Sequence, residues 1–248
     1  MTRIVADACC NHLGDRRLIE KMIVEAKTAG VDIIKFQLLR ADELNPKWAN
    51  YKTAYENYKK AELSKDDCAF IFVKCYENNI ESLFTAFSLK RAKFLKEELG
   101  QSKVKIASPD GDNEKLLNYC WNNFDLTIVS AGMTDIQSTK RLLRNKSWVK
   151  EHKILYCISK YPTKYEDIDF DKMQLFDGFS DHTEGIQAAK KAIDNGMEYI
   201  ERHFTLGKYL PGTDHKFSST PDEFKELCEY RDYKQNTEQY KRRWTNEC

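Results

Sequence analysis

The fold is decided by two stretches, DGFSDHTEG at residues 177–185 and YIERHFTLGKYLPGTDHK at residues 199–216. Each begins with a short apolar run and ends in a polar cluster that contains a histidine. Alternate side chains of a strand share a face, so Ser180 points the same way as His182, and Glu201 the same way as His203. If the two strands are parallel neighbours, both imidazoles can bind one metal ion and leave much of its coordination shell open.

A single histidine at the end of a strand is more often structural than functional. His182 and His203, however, occupy matching positions of consecutive strands, and each has polar neighbours. This repetition favours a metal site over two unrelated structural histidines. Asp214 follows in a loop with Pro211 and Gly212 and gives weaker support, because a charged loop residue is more often simply solvated.

The two stretches are the last of eight apolar runs that recur roughly every 25–30 residues. The runs occupy residues 3–9, 32–39, 81–87, 103–108, 126–132, 153–159, 177–183 and 199–206. Helical patterns follow them, with helix-start signals at Ser64, Thr134 and Thr220. Glycines stand where helices should stop, at positions 30, 100 and 196. Eight alternating units with short links predict an α/β fold, the (β/α)8 TIM barrel.

Composition bounds the class of protein. The 248 residues are 41% hydrophobic and 32% charged, with a net charge of +1, so no strong field favours nucleic acid or a membrane surface as a partner. No apolar run reaches the roughly 20 residues of a membrane span. Eight cysteines are scattered without a CxxC pair, which predicts reduced thiols and a cytoplasmic protein. We expect a catalytic barrel at residues 1–228 and a polar, helical tail at residues 229–248.

The segment at residues 40–63 is too long for an ordinary loop of such a barrel. It is rich in Tyr, Lys and Asn, and we expect a short helix over the barrel mouth. A lid or substrate loop and a passive cover both remain open as interpretations.

Active sites of such barrels form at the carboxyl ends of the strands, where this sequence is dense in polar groups. Lys35 and Lys105 each interrupt an apolar strand, and a buried charge needs an ion-pair partner or an anionic ligand. An ion pair with Asp7 or Glu201 is one reading, and a bound phosphate or carboxylate is the other. Further candidates at the same ends are Gln37, Thr85, Phe87, Ser108, Ser130, Ser159, Tyr161 and Ser180. Together these residues predict a metal-assisted reaction of a small anion with a carbonyl compound.

These residues lie in stretches that resemble the N-acetylneuraminate (sialic acid) synthase family. The matching stretches run in order from residue 6 to residue 224: ADACCNHLGD, IKFQ, TAF, KIAS, SAGM, YPT, GFSDHTEG, IERHFTL, LPGTDHK and STPDEF. The resemblance implies a transferase that condenses phosphoenolpyruvate with an N-acyl hexosamine, such as N-acetylmannosamine. The products are a nonulosonic 2-keto acid and phosphate.

Carried over residue by residue, the resemblance implies that His182 and His203 bind a divalent metal, Mn2+ first, with Mg2+ or Co2+ as alternatives. It implies a proton or water role for Glu201, which with Lys35, Lys105 and Asp7 forms the catalytic set. It also implies that the two lysines, with Thr85, Ser108 and Ser180, bind the phosphate and the carboxylate of phosphoenolpyruvate. Tyr161 and Asp214 are expected to contact the sugar. The resemblance also implies that Gln37, Phe87, Ser130 and Ser159 contribute to substrate binding, in roles that it does not define.

The sequence departs from the family at several positions. Family members usually carry Glu at Asp7, Gly at Cys9 and a second Asn at Leu13, and they usually continue into a small antifreeze-like domain that lends an arginine to the sugar site across a dimer. Three alternatives to the sialic-acid-type synthase follow. The chain is a non-catalytic sugar- or anion-binding homologue, a homologue that needs a homodimer or an antifreeze-like domain in trans, or a related phosphoenolpyruvate aldol-type synthase for another sugar.

Overall fold

The eight apolar runs form eight parallel strands of one closed barrel, in the order of the sequence. The computed structural model describes residues 1–43, 51–134 and 150–245. Each strand pairs with its sequence neighbours, and the last returns to the first, which confirms the predicted (β/α)8 fold. The strands are β1 Arg3–Asp7, β2 Ile33–Leu38, β3 Glu81–Ala86, β4 Lys103–Ile106, β5 Leu126–Ser130, β6 Glu151–Cys157, β7 Gly178–Asp181 and β8 Tyr199–His203.

Helices surround the barrel. Those described are α1 Arg16–Thr28, α2 Tyr51–Lys60, α3 Lys65–Glu77, α4 Leu89–Lys93, α5 Glu114–Asn123, α6 Phe170–Met173, α7 Gln187–Asp194 and α8 Pro221–Thr245. A π-helical turn, Phe94–Glu98, continues α4.

Two of the predicted helix starts lie within the described residues and form as expected. Ser64 and Asp67 make a reciprocal capping box at the start of α3. Thr220 and Glu223 likewise exchange hydrogen bonds, with Pro221 at the first position of α8. The helix that was predicted to start at Thr134 would lie in residues 135–149, which are outside the described residues.

The barrel interior has three levels. At the amino ends of the strands, Glu81 pairs with Arg3 and with Lys103, each at 2.6 Å. An apolar belt lies above, formed by Val5, Ile33, Leu83, Leu126, Ile128, Leu155 and Tyr199. At the carboxyl ends the inward positions turn polar, beginning with Asp7 and Lys35, which are Cα partners in neighbouring strands. The alternating outward residues, such as Ile4 and Ile34, join the larger core beneath the helices.

The last helix contacts residues at the amino side of the barrel, just before β1 and β2. Arg231 Nη1 lies 2.5 Å from Asp32 Oδ2, and Gln235 donates a hydrogen bond to the Thr2 carbonyl at 3.2 Å. This helix begins at Pro221 and runs to Thr245, so it covers most of the polar stretch at residues 229–248. The division between barrel and tail at residue 228 stays a prediction.

Two further expectations concern the described residues. None of their helices combines the length and apolarity that crossing a bilayer requires. None of the seven cysteines that the structure describes forms a disulfide with another of them, and all seven are buried; Cys248 falls outside the described range.

Gly178 begins β7 at the point where Tyr199 fills the barrel. Its Cα partners in the neighbouring strands are Leu155 and Tyr199. A Cβ atom on Gly178 would lie 2.4 Å from the Tyr199 carbonyl oxygen and 2.7 Å from Leu155 Cδ2. Glycine is therefore required here by a close approach of backbone and side chains.

We expect Gly178→Ala to lower the free energy of unfolding by about 1–3 kcal/mol, because the added methyl group overpacks the barrel interior. Urea denaturation followed by circular dichroism measures the change. Val73→Ala, on the exposed side of α3, is the control and should stay within about 0.5 kcal/mol of the parent. Equal stability of Gly178→Ala and the parent protein would contradict this account of the barrel interior.

Candidate active site

A cavity of about 890 Å3 opens at the carboxyl ends of the strands. Its lining contains every residue predicted for the site except Ser159, which lies just behind it and donates a hydrogen bond to Ser108 Oγ at 2.9 Å. The predicted residues that line it are Asp7, Lys35, Gln37, Thr85, Phe87, Lys105, Ser108, Ser130, Tyr161, Ser180, His182, Glu201, His203 and Asp214. Strand-end position alone thus brings residues far apart in sequence to one place.

A cluster of four charges forms the floor of this cavity. Lys35 Nζ lies 2.8 Å from Asp7 Oδ2 and 3.1 Å from Glu201 Oε1. Lys105 Nζ lies 3.6 Å from the same Glu201 oxygen. The four side chains are 5% exposed or less. The ion pair that the sequence left open for the lysines therefore forms, and it involves both candidate carboxylates.

The protonation states of this cluster follow from burial and mutual charge. Burial alone would raise the pKa of Glu201, but the ammonium groups of Lys105 and Lys35 hold it below its ordinary value. Burial likewise opposes ionisation of Lys35, yet the Asp7 and Glu201 carboxylates raise its pKa. Lys105 differs, because burial outweighs Glu201 and lowers its pKa. Glu201 is thus a carboxylate that also accepts a hydrogen bond from Ser180 Oγ at 3.2 Å.

Hydroxyl groups surround the lysines. Lys105 Nζ donates to Ser130 Oγ at 2.6 Å. The neighbouring Thr85 is fully buried and lines the cavity, and its hydroxyl has no hydrogen-bond partner within the described part of the chain. Ser108 Oγ accepts a hydrogen bond from the Met133 backbone N–H at 2.7 Å. A buried hydroxyl without a partner costs free energy, so Thr85 is a polar group that a bound anion can satisfy.

The two histidines meet at the edge of the cavity. β7 pairs in parallel with β8, and the rings of His182 and His203 lie 5.2 Å apart. β7 ends at Asp181, one residue earlier than the predicted strand requires, but the His182 carbonyl accepts a hydrogen bond from Thr163 N–H at 2.9 Å and keeps its backbone fixed.

Both imidazoles fit a divalent cation. His182 Nδ1 lies 2.9 Å from the Ile158 carbonyl, so Nδ1 donates and the lone pair is left on Nε2. Burial, with a smaller contribution from the nearby His203, lowers the pKa of His182 to about 3, so the ring is neutral near pH 7. His203 Nδ1 is buried and has no hydrogen-bond partner among the residues that the structure describes. Asp7 and Cys9 bring further ligand atoms close to His203.

An aromatic wall covers the histidines. The Tyr161 ring lies 4.3 Å from that of His182 and 5.6 Å from that of Phe217, measured between centroids. Asp214 Oδ2 lies 3.9 Å from His203 Nδ1. Its neighbour His215 turns away, with Nδ1 at 2.7 Å from Thr205 Oγ1, so this histidine supports the loop.

The long segment after β2 contributes to the mouth of the cavity. It contains a 3-10 turn, Ala41–Glu43, and the predicted short helix, α2. Tyr58 from this helix, together with Arg40 and Glu43, lines the cavity. The choice between a lid and a passive cover stays a prediction, and residues 44–50 of the segment, including Lys47, lie outside the described residues.

Several lining residues were not singled out from the sequence. Tyr58 and Phe217 come from loops and helices, where no alternation indicates which side chains face inward. Asp110 lies in the 3-10 turn that follows β4. Its position two residues after the polar strand end KIAS could have marked it as a residue of the site. Burial raises the pKa of Asp110 to about 6.

Comparisons with known proteins agree on one family. The sequence model of the NeuB family matches residues 22–241. The chain is 34% identical over 250 residues to the N,N'-diacetyllegionaminic acid synthase of Legionella pneumophila, across 91% of this chain and 70% of that protein. It is 30% identical over 250 residues to a pseudaminic acid synthase of Campylobacter jejuni, across 91% and 71%. The solved structure of the N-acetylneuraminic acid (sialic acid) synthetase of Leptospira borgpetersenii is also similar. It superposes with a TM-score of 0.85 at 29% identity, covering 94% of this chain and 83% of that one.

We expect Lys35→Met to destabilise the protein by about 3–5 kcal/mol near pH 7, because removal of one partner leaves buried carboxylates unpaired. Lys190→Met is the matched control: Lys190 pairs with a mostly exposed Glu226, so the loss should be about 0–1 kcal/mol. Denaturant unfolding of both variants measures the difference. Similar losses from both would mean that the charge cluster does not stabilise the fold.

Asp110→Asn should change the pH dependence of stability. The unfolded carboxyl has a pKa near 4, whereas that of folded Asp110 is about 6, so the folded state binds the proton more tightly. The wild type therefore loses stability as the pH rises from about 4 through about 6, and the variant is spared this loss. Because the group is partly exposed, we expect a relative gain of only about 1 kcal/mol by pH 7.

Unfolding free energies at about pH 4 and pH 7 check this expectation. Asp112→Asn removes the same charge from an exposed position two residues away and is the control. An equal gain from both variants would attribute the effect to net charge rather than to burial of Asp110.

Proposed function

This chain belongs to the NeuB family, and we propose that it condenses phosphoenolpyruvate with an N-acyl hexosamine, such as N-acetylmannosamine, to form a nonulosonic 2-keto acid and phosphate. The observation that carries the proposal is the cavity floor. Lys35 and Lys105 stand on either side of Glu201, beside the unpartnered hydroxyl of Thr85. Two buried ammonium groups with hydroxyl donors suit a small phosphorylated carboxylate.

Phosphoenolpyruvate binds, in this proposal, over the lysines. An ammonium group offers three N–H donors, and Lys35 directs donors to two carboxylates. Lys105 contacts Ser130 and the Ile106 carbonyl, at 2.6 and 3.1 Å, and both are neutral. Its charge is therefore the less fully compensated of the two. The phosphate group lies at Lys105 with Thr85, Ser108 and Ser130, and the carboxylate lies nearer Lys35, Ser180 and Gln37.

The acceptor sugar binds, in this proposal, toward the aromatic wall. Tyr161 and Phe217 present ring faces, and Asp214 presents a carboxylate that can accept hydrogen bonds from sugar hydroxyls. A divalent ion held by His182 and His203, Mn2+ in the first instance, would supply Lewis-acid polarisation of the aldehyde oxygen. Tyr58 and Phe87 line the same cavity.

The reaction joins C3 of phosphoenolpyruvate to the aldehyde carbon, while water adds to C2 and phosphate then leaves. Glu201 is ionised and fixed by two lysines and Ser180, so it is suited to accept the proton of that water. Asp7 accepts a hydrogen bond from Gln37 at 3.2 Å and forms an ion pair with Lys35. In this proposal, Asp7 positions that lysine.

The relatives leave the acceptor open. Their names include N,N'-diacetyllegionaminic acid synthase, pseudaminic acid synthase and, for the relative from Drosophila melanogaster, N-acetylneuraminate-9-phosphate synthase. A phosphorylated acceptor needs an additional cation at the mouth. Among the described lining residues Arg40 is the additional one, and it already pairs with Glu62 at 3.2 Å. This pairing favours an acceptor without phosphate.

Phosphate release from phosphoenolpyruvate tests the proposal directly. The full chain is assayed with Mn2+ and a panel of N-acyl hexosamines, each offered with and without a 6-phosphate, and also with no sugar. Release that requires both a sugar and the metal supports the synthase, and the preferred sugar identifies the acceptor. No release from folded, metal-loaded protein would favour the non-catalytic or partner-dependent alternative, and an antifreeze-like domain added in trans would then separate those two.

We expect His203→Ala to lower this activity by more than about 100-fold while the barrel stays folded, because the side chain faces the cavity and adds little to the core. Circular dichroism and thermal unfolding check the fold. His152→Gln is the matched control, since His152 packs against Trp121 away from the cavity. Loss of folding in His203→Ala would instead mark that histidine as structural.

A further inference from the structure

Asp7, Cys9 and His203 form a second group of metal-ligating side chains, which overlaps the histidine pair. Their carboxylate oxygen, thiol sulfur and imidazole nitrogen all lie within 4.8 Å of one another. β1 and β8 are neighbours in the barrel, and Asp7 and His203 are Cα partners. Cys9 follows two residues after Asp7, in the turn that leaves β1, and is completely buried. His182 does not belong to this group.

The backbone holds Cys9 in a conformation that a non-glycine residue rarely adopts. Its φ is +48°, in the left-handed region, which costs on the order of 1–3 kcal/mol. The Cys9 backbone N–H donates to Asp7 Oδ1 at 3.0 Å, so the thiol and this carboxylate are fixed relative to each other. Asn11 donates to the Phe204 carbonyl at 2.8 Å and fastens the turn to the end of β8.

Two of the three ligand groups have no strong partner. The Cys9 thiol contacts only the Asp7 carbonyl oxygen, at 3.4 Å, among the hydrogen bonds of the described residues. His203 Nδ1 is buried and has no hydrogen-bond partner within that range. The Cys9 side chain is completely buried, and no cationic group is hydrogen-bonded to its sulfur among the described residues. A bound cation is what would stabilise its thiolate.

We propose that Asp7, Cys9 and His203 form a zinc site that competes with the divalent site at His182 and His203. Three protein ligands of O, S and N type with one open position match a tetrahedral zinc centre. Thiolate is a soft ligand, which Zn2+ prefers and which Mn2+ and Mg2+ do not. On binding, the Cys9 S–H bond breaks, a Zn–S bond forms and the proton passes to solvent.

Zinc at this site has two consequences for the neighbouring groups. Both sites need His203 as a ligand, so a zinc ion at one site prevents binding of a metal ion at the other. Zinc also binds Asp7, which lies closer to Lys35 than Glu201 does. Zinc therefore inhibits the condensation. This inhibition rests on the proposed function, whereas zinc binding itself does not.

Metal binding to the full chain, measured without any substrate, tests the site. Co2+ serves as the spectroscopic substitute, because a Co2+–thiolate bond has its own charge-transfer absorption, and Zn2+ affinity is measured against a chromophoric chelator. We expect Cys9→Ser to remove the absorption and to weaken zinc binding at least about tenfold, since even the hydrogen-bond partners of ligands contribute 10–100-fold. Cys10→Ser is the matched control, because Cys10 is the adjacent buried cysteine outside the group, and it should keep both properties.

A charge-transfer band that survives in Cys9→Ser, or equal zinc affinity in Cys9→Ser and wild type, overturns the site. Cys9→Gly provides a second variant, suited to the positive φ, if the serine variant does not fold. Zinc bound through Cys9 in a protein without turnover supports this inference and counts against the proposed function alone. Turnover unaffected by zinc at saturating occupancy of the site overturns the proposed competition.

Discussion

The barrel depends on one carboxylate held between two ammonium groups in its interior. Glu201 Oε1 lies 3.1 Å from Lys35 Nζ and 3.6 Å from Lys105 Nζ. A buried ion costs several kcal/mol unless it is paired, so β2 and β4 can carry their lysines only while β8 presents Glu201 to them. Asp7 on β1 completes the balance with Lys35. The register of four strands is therefore tied to a single electrostatic arrangement.

The same balance gives a reason for the lysines and the candidate metal ligands to line one cavity. Two lysines and two carboxylates nearly cancel, so an anion that enters this cavity adds negative charge which the cluster alone does not offset. A divalent ion at the neighbouring histidines would restore the balance. The histidines suit that role because His182, with its pKa lowered by burial, adds no charge of its own. In the proposed function, anion binding and metal binding are thus two parts of one electrostatic requirement.

The strands could be predicted from the sequence, and with them most of the cavity. Alternation along β2 and β8 directs Lys35 and Glu201 inward, and the (β/α)8 order brings all strand ends to one side. Tyr58 and Phe217 could not be predicted in this way, because helix and loop residues reach the cavity by tertiary packing. Nor does the sequence reveal that Lys35 contacts both carboxylates, since the distance between β1 and β8 is set only when the barrel closes.

The closure between the first and last strands has a consequence for synthesis of the chain. Arg3 and Asp7 on β1 pair with Tyr199 and His203 on β8, and Thr2 Oγ1 donates to the Met197 carbonyl at 2.7 Å. When β1 leaves the ribosome, its partner strand β8, which begins only at Tyr199, is still untranslated. The nascent protein must therefore keep an open sheet edge, with unpaired ammonium groups on β2 and β4, until β8 has been synthesised.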